Sequence, residues 1–525
     1  MKKILSALLA VSMVVSLAAC GEKSATTPLT QSSDPSSTQA ADPILTGEKP
    51  VLKILSMYQA YNYEEQPSYK LLEELTGYKT KWFALPAENA DQKLLLEMSS
   101  GADYDLLLRM SPNGYAQLSS QGALIDLTPI IDKYGANIKN VISDFAWQST
   151  TDANGTVNAI PHEDMVASKE EAYGMLTGGI GVRSDAMEAM GVKELPTNLD
   201  DFTQFLKDAK AKFGKTPLTA NKASGFTPAI LAAFGIGDAE WIDINGTYTH
   251  RIKNPAIVDY LAYMQMLYKE KLLDNDMPIN TGDNAKEKFA SNSAIAIAPL
   301  MFWDIPSMVN ALKTSNPDAK AMFITDLAKD ANTKPIHYIG KGAKFVSCIS
   351  QNAKNPEHAI NWLNILTETD NYRKVYIGEE GVSYEIKDGG YHPIFTGDET
   401  KNFSVYTNSD KFTGFQDPVE AFKMWQARAR KTPEMAAAYE QMNSRTAEYD
   451  VRYTIEAYGK TAPAVQKNAA ALALAFSDAF LKAIVDGTDP AKAIAAMQAQ
   501  WDKNGGLEME KSMNEFYAKN KQYAQ

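Results

Sequence analysis

Cysteine is nearly absent: the 525 residues hold two, Cys20 and Cys348. A disulfide framework and a cysteine-built zinc cluster are therefore excluded. The five histidines (162, 250, 337, 358 and 392) show no metal spacing such as His-Glu-x-x-His. Neither a Gly-x-Ser-x-Gly elbow nor a phosphate-binding P-loop occurs, which removes the best-marked hydrolase and nucleotide sites. Basic charge is in deficit, with 52 Lys and Arg against 64 Asp and Glu and a net charge of −12. Such a surface repels phosphate backbones, so nucleic acid is not an expected partner. After the first twenty residues no run approaches eighteen continuous apolar residues, the length a spanning helix needs. Aromatic rings, in contrast, are plentiful: 7 Trp, 25 Tyr and 19 Phe. The length exceeds one compact core at roughly 100–200 residues per domain, so two or more lobes are expected.

The N-terminus reads as an export signal. Lys2 and Lys3 precede a mostly apolar stretch from Ile4 to Leu17, too short to span a bilayer comfortably. Leu17-Ala18-Ala19-Cys20 then resembles a lipobox, in which the signal is cut before Cys20 and the cysteine is acylated. Several acyl chains on one residue give stable anchoring where a single chain does not. Residues 21–50 are rich in Ser, Thr, Pro, Gln and Ala, with little to bury, and read as a flexible tether. The expected location is the extracellular face of the cell membrane, held by lipid alone.

From Val51 onward strands and helices alternate. Val51–Met57, Thr80–Leu85 and Tyr104–Leu108 read as strands, separated by helices that open at Pro67 and near Asn89 and stop at Gly77 and Gly101. This βαβαβ order predicts a mostly parallel sheet covered by helices. Further strands are expected at Val157–Ile160, Ala294–Pro299 and Phe345–Ser350. Thr197 is expected to cap the helix bearing Phe202 and Phe205. From Asp417 the chain reads as almost continuously helical.

Several short motifs, in order, carry a resemblance. They are Leu94–Asp105 with its Ser-Ser-Gly-Ala-Asp-Tyr-Asp core, Leu124–Pro129, Asn154–Pro161, Arg183-Ser184-Asp185 with Pro196–Phe202, Lys288–Ala296, and Trp501–Gly506 followed by Asn514–Tyr517. At Lys288–Ala296 the glycine usual in the family is replaced by Asn292 or Ser293. Together they resemble the extracellular solute-binding proteins of carbohydrate ABC importers, and within these the long lipoprotein branch of Gram-positive bacteria related to maltose- and alginate-binding proteins. The resemblance implies an α/β, two-lobed periplasmic-binding-protein-like (type II) fold with a hinge and a helical C-terminal extension. It implies a first lobe of 51–163 plus 335–370 and a second of 164–334 plus 371–525, with crossings near Pro161 and Pro335. It further implies a monomer that captures a sugar or oligosaccharide, or another small solute, and delivers it to permease subunits. No catalysis and no cofactor are implied.

A sugar ring offers an apolar face to aromatic side chains and a hydroxyl rim to polar ones. In α/β lobes the ligand lies beyond the carboxyl ends of strands. These rules select Tyr58 and Tyr61, Arg109, His162 and Glu163, Trp303 and Asp304, with Trp241 beside a turn as a further candidate. Trp362 and Trp425 lie at apolar helical spacing and read as core, and Cys348 as a small buried hydrophobe. Asp152–Gly155 and Asp243–Gly246 are incomplete as calcium loops and read as turns. Two other functions stay open on sequence: a secreted glycan-active hydrolase or lyase, since carboxylates are abundant, and a surface glycan binder without a transporter.

Overall fold

The computed structural model describes residues 42–59, 62–87, 89–152, 154–166, 176–314, 317–395, 414–456 and 462–524. Strands are numbered in chain order. The N-terminal part supplies β1 (Leu52–Ser56), β2 (Thr80–Ala84), β3 (Leu106–Met110) and β4 (Ile160–Glu163). Next come β5 (Gly178–Arg183), β6 (Thr216–Ala220), β7 (Trp241–Ile244), β8 (Thr247–His250), β9 (Ala294–Met301) and β10 (Ala321–Ile324). The remainder are β11 (Ile336–Gly340), β12 (Ala343–Cys348), β13 (Tyr384–Lys387), β14 (Gly390–Pro393) and β15 (Asp450–Thr454).

Two sheets organise a two-lobed α/β fold. The first has the order β2-β1-β3-β12-β4, the second β10-β5-β9-β6. In the first, β1 pairs in parallel with β2 and β3, as the βαβαβ reading requires. The late strand β12 then enters antiparallel between β3 and β4, so the sheet is mixed rather than mostly parallel. In the second, β5 runs antiparallel to β9 and β10, and only β6 is parallel to β9. Gly179 of β5 must lack a side chain, because a Cβ there would lie 2.4 Å from the Ile324 carbonyl oxygen.

Helix boundaries follow local chemistry. Pro67, Pro112, Pro356, Pro418 and Pro490 each stand at a helix start, where the missing N–H costs nothing. Gly77 ends the helix Pro67–Thr76 with φ +71°, a left-handed cap that glycine adopts without strain. The helix Leu199–Phe213 is capped by Asn198, whose side chain accepts from Asp201 N–H, and not by Thr197. The strand expected at 104–108 begins two residues later. Buried Asp105 is occupied instead as an acceptor for Lys53, Lys354 and Asn355 backbone amides.

Among the described residues from Asp417 onward, the strand β15 interrupts the helices, which periodicity did not reveal. β15 pairs in parallel with β11, a partner from a distant stretch of chain. The helices Pro463–Asp486, Pro490–Trp501 and Leu507–Asn520 form the extension. Pro463–Asp486 contains a span (Lys467–Asp486) apolar enough in composition to cross a membrane. Its Leu472, Phe476, Phe480 and Ile484, one turn apart, are buried in the main core. Phe226 and Tyr260 pack on the two phenylalanines. Cys348 is fully buried, and burial pushes its thiol up to about 12.

Candidate functional site

Strand ends and connecting segments of both sheets converge on a cavity of about 830 Å³, within the ~300–1,000 Å³ range of small-molecule sites. The first sheet contributes Arg109 from β3, the segment Pro161–Asp164 from β4 onward, and Lys344 and Phe345 from β12. The second contributes the start of β5 and, at the end of β9, Met301 and Trp303. Asp238, Asp326 and the β11 segment His337–Gly340 add to the lining between the sheets. A further wall comes from the helices Thr369–Ile377 and Pro418–Ala429, which present Tyr372, Tyr376, Trp425 and Arg428.

Trp303 is 47% exposed and stands edge-on to buried Phe302, ring centroids 5.3 Å apart at 67°. Trp425 also meets Phe302 edge-on, at 6.0 Å and 81°. Phe302 thus supports two indoles that line the cavity, Trp303 exposed and Trp425 half-buried. Accessible aromatic faces suit the C–H face of a sugar ring.

The polar groups are fixed by their own partners. His162 Nε2 lies 2.6 Å from Ser347 Oγ, and its ring leans on Phe415 at 4.4 Å. Burial, and secondarily Arg109, holds His162 well below the ordinary histidine value, so it is a neutral hydrogen-bonding group. Glu163 accepts from Ser143 N–H at 2.9 Å and from its hydroxyl at 2.7 Å. Asp164 is pushed up by burial, against the pull of Lys344 at 3.7 Å. His337 Nδ1 sits 2.7 Å from Asp326 Oδ2. Burial alone would lower His337, but Asp326 and Asp238 overcome it and raise it. Arg428 lies over the Tyr376 ring at 4.6 Å and donates to that residue's carbonyl at 2.8 Å. The cavity therefore mixes aromatic faces with donors and acceptors of both charges.

Of the residues selected on sequence, Arg109, His162, Glu163 and Trp303 line this cavity together. Tyr58 is exposed but is not part of the lining. Tyr61 and Cys20 lie outside the described residues. Trp241 is core: it is 1% exposed and packs edge-on to His250 at 5.2 Å, tilted against Trp501. The neighbouring Asp243-Ile244-Asn245-Gly246 closes the β7–β8 hairpin, with Asn245 and Gly246 both at positive φ, a turn as read. Asp304 does not line the cavity either. Its carboxylate accepts from Lys286 Nζ at 2.8 Å and closes the turn onto Met301 N–H. Trp362 is fully buried as expected, whereas Trp425 is half-buried: it packs against the core around Phe302 and Tyr439, as expected, and also lines the cavity. Tyr338, Tyr372, Tyr376, His337 and Arg428 were not selected. Tyr372 and Tyr376, one helical turn apart with rings 5.2 Å from each other, were the one readable signal.

The sequence profile of the bacterial extracellular solute-binding proteins matches residues 58–373. The chain belongs to that family. It is 33% identical over 263 residues to an uncharacterized protein of the butB 5′ region of Niallia circulans, covering 49% of this chain and 98% of that one. Lipoprotein LipO of Bacillus subtilis (strain 168) is 22% identical over 397 residues, 69% of this chain and 72% of its own. Among solved structures, the alginate-binding protein AlgQ2 without calcium superposes with a TM-score of 0.66 at 19% identity, over 89% of this chain and 98% of that chain. The substrate-binding protein FusA of S. pneumoniae in complex with kestose gives 0.64 at 16% identity, over 90% and 100%. These likenesses bear out the two-lobed binding-protein fold, and the family is one of binding proteins placed outside the cell.

Proposed function

We propose that this chain is a lipid-anchored receptor that closes around an oligosaccharide and delivers it to an ABC permease. The observation that carries the reading is the cavity, in which two indoles share one support and the polar side chains of the first sheet and of the segments between the sheets line the same space. Its volume suits more than a single sugar ring. Trp303 and Trp425 stack on the ligand, while Arg109, His162 and Glu163 meet its hydroxyl rim. The lobes divide as 51–163 plus 335–370 and 164–334 plus 371–525, and hinge motion at the crossings near Pro161 and Pro335 closes the cavity. Cys20, cleaved and acylated, holds the monomer at the membrane through the tether 21–50.

A thermal-shift screen of the mature chain across neutral and acidic oligosaccharides tests the reading. A glycan at about 100 times its dissociation constant should stabilise by about 2.7 kcal/mol. Release of reducing sugar from the glycan that binds, or no shift with any glycan, would contradict it.

A further inference from the structure

One irregularity in the first sheet lies at the cavity wall. In the antiparallel pairing of β3 with β12, Leu107 stands opposite Cys348 and Met110 opposite Val346. Two residues, Leu108 and Arg109, therefore face the single residue Ser347. This is a β-bulge, a device that bends a strand and re-aims a side chain and that is common beside functional sites. Arg109 adopts φ +60°, a left-handed backbone that a residue with a long side chain seldom takes. The bulge turns it toward the cavity it lines, with its guanidinium carbon 5.0 Å above the Phe345 ring.

Ser347 is fully buried and touches both sides of the irregularity. Its Oγ accepts the Arg109 backbone N–H at 3.2 Å and lies 2.6 Å from His162 Nε2. A neutral imidazole can accept a hydrogen bond from the hydroxyl at Nε2, leaving the oxygen lone pairs for the Arg109 amide. Asp164 is close enough to feel the charge of Arg109, and Glu163 and Lys344 line the same cavity.

We infer that Ser347 is a positioning residue: its hydroxyl fastens the bulge and so holds Arg109 in the left-handed conformation that presents the guanidinium to the cavity. The consequence for binding rests on the glycan reading above, in which the guanidinium fork donates to ring hydroxyls or a sugar carboxylate. The local consequence does not.

The test compares Ser347→Ala, Ser347→Thr, Arg109→Gly and the Ser347→Ala/Arg109→Gly double variant of the mature chain. In ligand-free protein, amide hydrogen exchange at Arg109 should speed at least about tenfold in Ser347→Ala and return toward wild type in Ser347→Thr, which keeps the hydroxyl. Calorimetry with kestose and with an alginate trisaccharide should show about tenfold weaker binding of Ser347→Ala to whichever binds wild type. In the Arg109→Gly background the same change should cost nothing more, since the residue acts only through Arg109. Wild-type exchange in Ser347→Ala, or affinity losses that simply add, would overturn the inference. If neither sugar binds wild type, the glycan reading suffers while the exchange data still decide the latch. Should Ser347→Ala fail to fold, Ser347→Cys, nearly the same size with a weaker acceptor, replaces it in both measurements.

Discussion

With nearly half of its surface open to water, Trp303 contributes little to the core, so its replacement separates binding from folding. Trp303→Ala should weaken glycan binding by at least about 2 kcal/mol, roughly thirtyfold, with melting temperature unchanged. Trp241→Ala should behave in the opposite way and lose ~3–5 kcal/mol of stability, because its ring is enclosed by Tyr248, His250 and Trp501. Calorimetry and denaturant unfolding on both variants check the contrast. Two histidines give a pH signature of opposite signs. His337 is raised in the folded protein despite burial, because Asp326 and Asp238 favour its cation. Its stabilisation is thus complete below the ordinary value of about 6.5 and is lost as pH rises through the raised one. His162 is held low by burial, so its contribution is present above about 6.5 and is lost as pH falls. Melting curves between about pH 5 and pH 9 should show His337→Gln flattening the alkaline side alone and His162→Gln the acidic side alone. Parallel profiles for wild type and both variants would contradict this. Residue-level reading from sequence reached Arg109, His162, Glu163 and Trp303 because strand ends are legible. It did not reach the cavity-lining side of Trp425, whose core packing it had read, because a helix row facing a cavity has the same apolar spacing as one facing the core.

At the scale of elements, the extension helix Pro463–Asp486 shows how a span of membrane-like composition can serve as a packed core helix. Its buried row is clamped between aromatic neighbours, while Leu474 on the other face is exposed. Phe480→Ala should cost ~3–5 kcal/mol, and Leu474→Ala within about 0.5 kcal/mol of nothing. Urea unfolding of the two variants measures the difference, and comparable losses would mean the helix packs another way. Proline starts and glycine stops made most helices readable, as at Pro67 and Gly77. The antiparallel entry of β12 and the pairing of β15 with β11 were not readable. Strand direction and remote partners depend on which edge the chain returns to, and no local pattern encodes that.

For the whole molecule, order of motifs was more informative than any motif. Weak segments at the right spacing sufficed for family and fold, whereas the ligand depends on walls drawn from many separate stretches of chain, from Arg109 to Lys431. The proposed anchor is independent of both. Cys20→Ala should leave the protein in the medium or held only by an uncleaved signal, as fractionation and mature mass would show. Membrane retention at unchanged mature mass would argue against lipidation at that residue. The acidic surface favours neutral solutes only weakly, since Arg109, Lys344 and Arg428 sit in the cavity itself. Glycan capture between the lobes is tested most directly by calorimetric titration of the mature chain, wild type and the Trp303→Ala/Trp425→Ala double variant, with the oligosaccharide that raises its melting temperature most. One binding site per chain, abolished in a double variant that melts like wild type, is the predicted result; undiminished affinity in that variant would contradict it.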